Sequence, residues 1–428
     1  MPSKRFVFAH LADAHVGAWP RDPAVREALR KSVLRALEVV EERDCAFLLI
    51  SGDLFHTPVP EPAEVAPVAA ALRRLVGQGR RIYVIYGSHD YVAERVSWLD
   101  VLAETGLFLR AAPEAVREEG QRWTLPFHVD EETGAAIAGI SGRAHSLDRA
   151  YFAGVDSEKF RAHPGFKIFQ FHAAVEEYLP EGLRDHHRGI SRDLLPEGVD
   201  YYAAGHIHRT YQGRGPDGGL LINPGAVFGT SITDLRNAAE GTTHQGIVIL
   251  TVEDGVPSAE FVRTAPKDVV RLFDVDVEGK TAEEARSEVA RAMDDHAVPG
   301  ALLFPHVRGT LVEGSITDLE LGQALREASS RGAKGVHWDV SDLALQRKSE
   351  LPAVEADIEA EGIGRWASFG IASISELSET ERLARLRELL RELGTPKAEG
   401  EARHDYERAR LQAGLRALGV EDASRPPL

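Results

Sequence analysis

Five short groups of residues in the first half of this 428-residue chain have the side chains that hold divalent cations. They are Asp13-Ala14-His15, Gly52-Asp53, Gly87-Ser88-His89-Asp90, His172 and Gly205-His206-Ile207-His208. Aspartate oxygens and imidazole nitrogens together suit Mn, Fe or Zn better than Ca or Mg. In Asp-x-His and His-x-His, an extended backbone would point both side chains to the same side. A lone carboxylate between two ions can bridge them. Two ions about 3.5–4 Å apart can activate a water and stabilise the leaving oxygen of a phosphodiester. Each group alone has an ordinary explanation: Gly52-Asp53 as a turn, His172 as a core histidine. All five in order, each after an apolar run, point to one two-metal centre for phosphoester hydrolysis.

The elements that must position these groups are legible as alternating patterns. Phe6–Ala9, Ala46–Ile50 and Ile82–Tyr86 read as buried strands. Between them, Val25–Glu42 carries Val25, Leu29, Val33, Leu37 and Val40 at helical spacing, and Glu61–Val76 follows with Pro62 near its start. A third helix is expected over Ala93–Thr105. Further strands are expected at Ala135–Ile140, Lys167–Phe171, Tyr201–Ala204, Leu220–Ile222 and Ile247–Val252. Strands alternating with helices imply an α/β sheet, and sites in such sheets form beyond the carboxyl ends of the strands. Every candidate ligand sits at such an end.

A first domain is expected over residues 1–265. A β-α-β-α-β rhythm then defines a small α/β domain within 266–348. Its strands are expected at Leu272–Val277, Leu302–Leu311 and Val336–Val340, with capping boxes at Thr281/Glu284 and Thr317/Glu320. Residues 349–375 read as a linker. Ser378 with Glu381 opens a helix carrying Leu383, Leu386, Leu390 and Leu393, and a last helix is expected over Ala402–Leu418. These tail helices either pack on their own domain or dock another protein.

Hydrophobic residues make up 43% of the chain, ample for several cores. The single cysteine, Cys45, excludes an internal disulfide and fits a reducing compartment. With no signal-peptide pattern and no apolar run of membrane length, the expected location is the cytoplasm, with no membrane partner. The formal net charge of −17 argues against a general nucleic-acid binder. A nuclease of this composition needs a local basic surface, bound ions or a partner to supply positive charge.

Taken in order, the five groups resemble those of the calcineurin-like metallophosphoesterases over most of residues 5–255. Gly52-Asp53-Leu54-Phe55-His56, Phe171-His172-Ala173-Ala174-Val175-Glu176-Glu177-Tyr178-Leu179-Pro180 and Tyr201 to His208 narrow this. They resemble the SbcD and Mre-eleven nucleases, the archaeal type above all. The resemblance implies a metallophosphoesterase β-sandwich flanked by helices, then a DNA-binding capping domain, then C-terminal helices that dock an SMC-like ATPase (SbcC or Rad-fifty). It implies a Mn-dependent DNA exonuclease and endonuclease of double-strand-break repair, acting as a homodimer through helices Glu61–Val76 and Val92–Leu102.

By the same resemblance, Asp13, His15 and His208 hold one ion, Asp53 bridges, and His172 and His206 hold the second. His89 stabilises the transition state or protonates the leaving oxygen, and Asp90 orients His89. His56 lies near the substrate backbone. The family has asparagine where this chain has Ser88, whose shorter side chain is expected to weaken the second metal site. Two other readings compete: a phosphodiesterase for small or nucleotide substrates, and a DNA-tethering scaffold with an impaired site.

Overall fold

The computed structural model describes residues 5–90, 96–112, 124–142, 148–179, 189–266 and 269–346, with residues 388, 391, 409, 410, 412 and 413. Met1–Gln346 form one compact unit and Arg347–Leu428 a second. In the second, the few described positions are helical. The rest of the expected tail helices lies outside the described residues.

The first sheet begins with β1 (Phe6–Leu11), β2 (Phe47–Ser51), β3 (Arg81–Ile85) and the short β4 (Leu109–Arg110), all parallel. The second holds β5 (His128–Val129), β6 (Ala136–Ile140), β7 (Lys167–His172), β8 (Tyr201–Gly205), β9 (Tyr211–Arg214) and β10 (Leu220–Asn223). Its central strands β6, β7, β8 and β10 are parallel neighbours. The chain then returns to the first sheet with β11 (Gly246–Glu253), antiparallel to β1, and β12 (Val256–Arg263), antiparallel to β11.

The two sheets face each other across Phe8, Phe47, Leu49, Tyr83, Ile137, Ile168, Tyr201, Ile222 and Val248. The other face of the first sheet is covered by helices Pro23–Glu42, Pro62–Gly77 and Trp98–Glu104. Because both faces of the parallel strands are buried, β1 and β2 read as continuous apolar runs rather than alternating ones. The architecture is a mixed α/β sandwich of two sheets flanked by helices, as expected.

Residues 269–346 form a smaller α/β lobe within the first unit. Here β13 (Val270–Asp276) pairs in parallel with β14 (Leu302–Leu311), which also pairs with β15 (Gly335–Val336) and β16 (Leu343–Leu345). The Thr281/Glu284 capping box is present at the start of helix Ala282–His296. The expected box at Thr317/Glu320 is not. Ser315 and Asp318 form it instead, around a 3₁₀ turn, and Glu320 takes a left-handed φ of 48° before helix Leu321–Ser330. The expected strand Val336–Val340 pairs with β14 only at Val336 and, as an isolated bridge to His306, at Asp339.

Candidate metal centre

All five groups lie at or just past the carboxyl ends of β1, β2, β3, β7 and β8. The loops remain laced beyond the strands. Asp13 N–H donates to the Gly52 carbonyl at 3.2 Å, and His15 N–H to the Asp53 carbonyl at 2.9 Å. His206 N–H donates to the Asp13 carboxylate at 3.0 Å, and His89 N–H to Asp53 Oδ1 at 2.8 Å. Glycine permits this closeness. A Cβ on Gly87 would collide with the Asp53 carboxylate, and one on Gly52, already at φ +86°, with the His172 ring.

The backbone at the ligands is not the extended one expected from the x-spaced motifs. Asp13, His15, Asp53 and His206 have φ of 51°, 46°, 52° and 94°. Non-glycine residues rarely occupy this region. Here it turns each side chain inward from a strand end, and such strain collects at functional sites.

Two buried sets of ligand atoms converge: Asp13, His15 and His208 in one, Asp13, Asp53 and His172 in the other. Asp53 Oδ2 stands between them, 3.6 Å from His15 Nε2 and 3.2 Å from His172 Nε2. His15 Nε2 and His208 Nε2 are 3.1 Å apart. The His206 ring packs against His172 with centroids 5.1 Å apart.

The electrostatics are those of a cation site. Burial pushes the Asp13 carboxyl up to about 6, a cost that neighbouring histidines only partly offset. Burial acts against ionised Asp53 too, but His172 and His15 hold its carboxyl well below the usual range. Burial disfavours charge on His172, yet Asp53 raises its pKa to about 10. His172 Nε2 is buried and faces Asp53 Oδ2 at 3.2 Å without a well-aligned hydrogen bond. A buried carboxylate pair ringed by imidazoles fits divalent ions.

Residues 6–210 match the family model for calcineurin-like phosphoesterases. This stretch is a calcineurin-like metallophosphoesterase domain. DNA double-strand break repair protein Mre11 of Archaeoglobus fulgidus is 26% identical over 296 residues, 64% of this chain and 62% of that protein. Mre11 of Methanopyrus kandleri is 26% identical over 289 residues, 66% of this chain and 62% of its own length. The uncharacterized metallophosphoesterase YhaO of Bacillus subtilis is 26% identical over 269 residues, 60% of each chain. The chain thus spans about three fifths of the length of these relatives, and they support an Mre11/SbcD-like placement within the superfamily.

In this metallophosphoesterase the imidazoles are held from behind. His172 Nδ1 faces the Ser51 carbonyl at 2.8 Å, and His208 Nδ1 faces Asp234 Oδ2 at 2.9 Å. Each ring therefore turns Nε2 toward the centre. Asp234 also accepts from the backbone N–H of Thr230 and Ser231, and its carboxyl sits at about 2, held down against burial chiefly by His208. Asp234 lies in helix Ile232–Ala239, 26 residues beyond His208, and no local motif marked it. The only sequence signal is its place three residues after Ser231 in a capping box.

His89 is exposed beside the buried ligands, and its Nδ1 faces the His56 carbonyl at 2.9 Å. Asp90 does not take the expected place behind it. Its carboxylate accepts from the N–H groups of Gly87 and Phe55 at 3.0 and 3.2 Å, so it ties the β2 and β3 loops together. The Ser88 hydroxyl donates to Asp53 Oδ2 at 3.4 Å. His56 stacks on His89 at 5.1 Å, at the rim. Among the described residues, no helix is long and apolar enough to cross a membrane.

Proposed function

We propose that this metallophosphoesterase is a DNA nuclease of double-strand-break repair. The observation that carries the reading is Asp53 Oδ2 lying within 3.6 Å of both His15 Nε2 and His172 Nε2. Asp13, His15 and His208 would hold one divalent ion, His172 and His206 the second, with Asp53 between them and Mn²⁺ the favoured metal. Bound ions would supply the charge that activates a water and stabilises the leaving oxygen of a phosphodiester. The chain's own residues do the rest. Asp53, pinned by His89 N–H, fixes the separation of the half-sites. His89, exposed and anchored through Nδ1–H, presents Nε2 to substrate and, as the imidazolium, gives the Nε2 proton to the leaving 3′ oxygen. Asp90 keeps the Gly87-Ser88-His89 loop against β2. His56 lines the rim where a DNA backbone enters.

The similarity to archaeal Mre11 supports DNA as the substrate, and the lobe at 269–346 supplies the second surface that a duplex needs. An SMC-like ATPase docked on residues 376–428, and a homodimer, complete the reading. They also answer the net charge of −17, because a partner can bring basic surface to the complex.

The test uses end-labelled linear duplex and single-stranded DNA with Mn²⁺, Mg²⁺ or EDTA, beside a His89→Ala variant purified identically. Mn²⁺-dependent degradation lost in the variant is expected. The net charge of −17 favours a second reading, an enzyme for small phosphodiesters. Hydrolysis of bis-p-nitrophenyl phosphate without DNA degradation, even with the ATPase partner added, would decide for it. A scaffold with an impaired site, prompted by Ser88 alone, predicts no hydrolysis of either substrate.

A further inference from the structure

The anchors behind the inward-facing rings are not alike. His172 has a carbonyl, His208 a carboxylate and His89 a carbonyl behind Nδ1. Behind His15 stands another imidazole: His56 Nδ1 lies 3.4 Å from His15 Nδ1. We propose that His56 is a positioning residue for His15, fixing its tautomer so that Nε2 offers a lone pair to the metal. The assignment rests on the reading of Asp13, His15 and His208 as ligands.

His15 Nε2 faces the centre, 3.1 Å from His208 Nε2 and 3.6 Å from Asp53 Oδ2. To ligate there it must carry no proton, so the proton of neutral His15 sits on Nδ1. Two ring nitrogens in hydrogen-bond contact need one donor and one acceptor. His15 Nδ1–H therefore donates, and His56 Nδ1 accepts with its lone pair. The proton of neutral His56 is left on Nε2, so His56 faces substrate as a hydrogen-bond donor.

His56 is itself held for this task. Its N–H donates to the Val16 carbonyl at 3.0 Å, in a short bridge that continues the β1–β2 pairing. Its ring stacks on His89 with an interplanar angle of 21°. One residue thus supports two others, His15 through its side chain and His89 through its carbonyl. Removing the side chain alone separates the two roles.

The full chain is loaded with Co²⁺ and its proton NMR spectrum recorded in water. Ring N–H protons of cobalt-bound histidines appear there as exchangeable, strongly shifted signals. His56→Ala is expected to lose one such signal and to bind Co²⁺ about ten- to a hundredfold more weakly, the usual effect of removing a partner behind a ligating histidine. His56→Gln, whose amide oxygen accepts the same hydrogen bond, restores both. A folded His56→Ala protein, checked by circular dichroism, with every signal and wild-type affinity would overturn the assignment. So would a His56→Gln protein as impaired as His56→Ala. A wild-type chain that takes up no cobalt would overturn the metal reading and this assignment with it.

Discussion

Trp19 Nε1 donates to the carbonyl of Gly229 at 2.9 Å, across 210 residues of sequence. Trp19 lies four residues after His15, and Gly229 opens the turn that presents Asp234 to His208, both proposed metal ligands. The indole also packs edge-on against Phe304 and His337 of the smaller lobe, and His337 Nδ1 pairs with Asp22 at 2.9 Å. One buried side chain therefore joins both supports of the first half-site to the lobe at 269–346.

Trp19→Phe keeps most of the packing and removes the hydrogen bond. It is expected to cost about 1 kcal/mol, the net worth of a buried hydrogen bond. Trp19→Ala opens a cavity and is expected to cost about 3–5 kcal/mol. Denaturant unfolding in EDTA measures both. Equal stability of wild type and Trp19→Ala would show that the indole joins nothing of consequence.

Asp234→Asn keeps the shape and the capping box but replaces the carboxylate behind His208 with an amide. Metal affinity at the Asp13, His15 and His208 half-site is expected to fall about ten- to a hundredfold. Titration with Mn²⁺, followed by the EPR signal of the free ion, reads this directly. Unchanged affinity would mean that His208 needs no anchor, or does not ligate.

What could be read from sequence and what could not divide along one physical line. Asp13, His15, Asp53, His172, His206 and His208 stand beside strands whose apolar runs are local signals, so their shared location followed from strand order alone. Asp234, Trp19 and the carbonyls of Ser51 and His56 act across long sequence separations or through the backbone, and side-chain patterns carry neither. Asp90 was misjudged for the opposite reason. Adjacency to His89 suggested a partnership, but consecutive residues in a tight turn point apart, and its carboxylate went to nearby N–H groups. The left-handed φ at Asp13, His15, Asp53 and His206 was equally hidden: Asp and His visit that region more than most residues but still seldom, so no local pattern marks these four.

Ser88→Asn tests the departure at the second half-site. The Ser88 hydroxyl is occupied with Asp53 Oδ2 at 3.4 Å, whereas an asparagine amide oxygen reaches farther and ligates. The variant is expected to bind its second Mn²⁺ several-fold more tightly, with the first unchanged. Isothermal titration resolves the two steps. A second step no tighter than wild type would remove the case that serine weakens the site.

His10 gives the pH dependence of the fold. It is fully buried between the sheets, beside Tyr201 and Ser51. Ser51 Oγ donates to the Ala203 carbonyl at 3.1 Å, so it must accept from His10 Nε2–H, and Tyr201 O–H donates to His10 Nδ1. That chain is complete only for the neutral ring. Burial accordingly lowers the His10 pKa from 6.5 to about 3. With the folded value below the unfolded one, the unfolded chain takes up a proton first as pH falls. Stability from this group is intact above about pH 6.5 and declines steadily toward about pH 3. Between pH 7.5 and 5.5 the loss is about 1.4 kcal/mol by proton linkage. His10→Gln removes the titrating ring, so its stability should fall by about that much less over the same interval in urea unfolding. Identical pH slopes for the two proteins would place the proton on His10 in the fold and undo the argument.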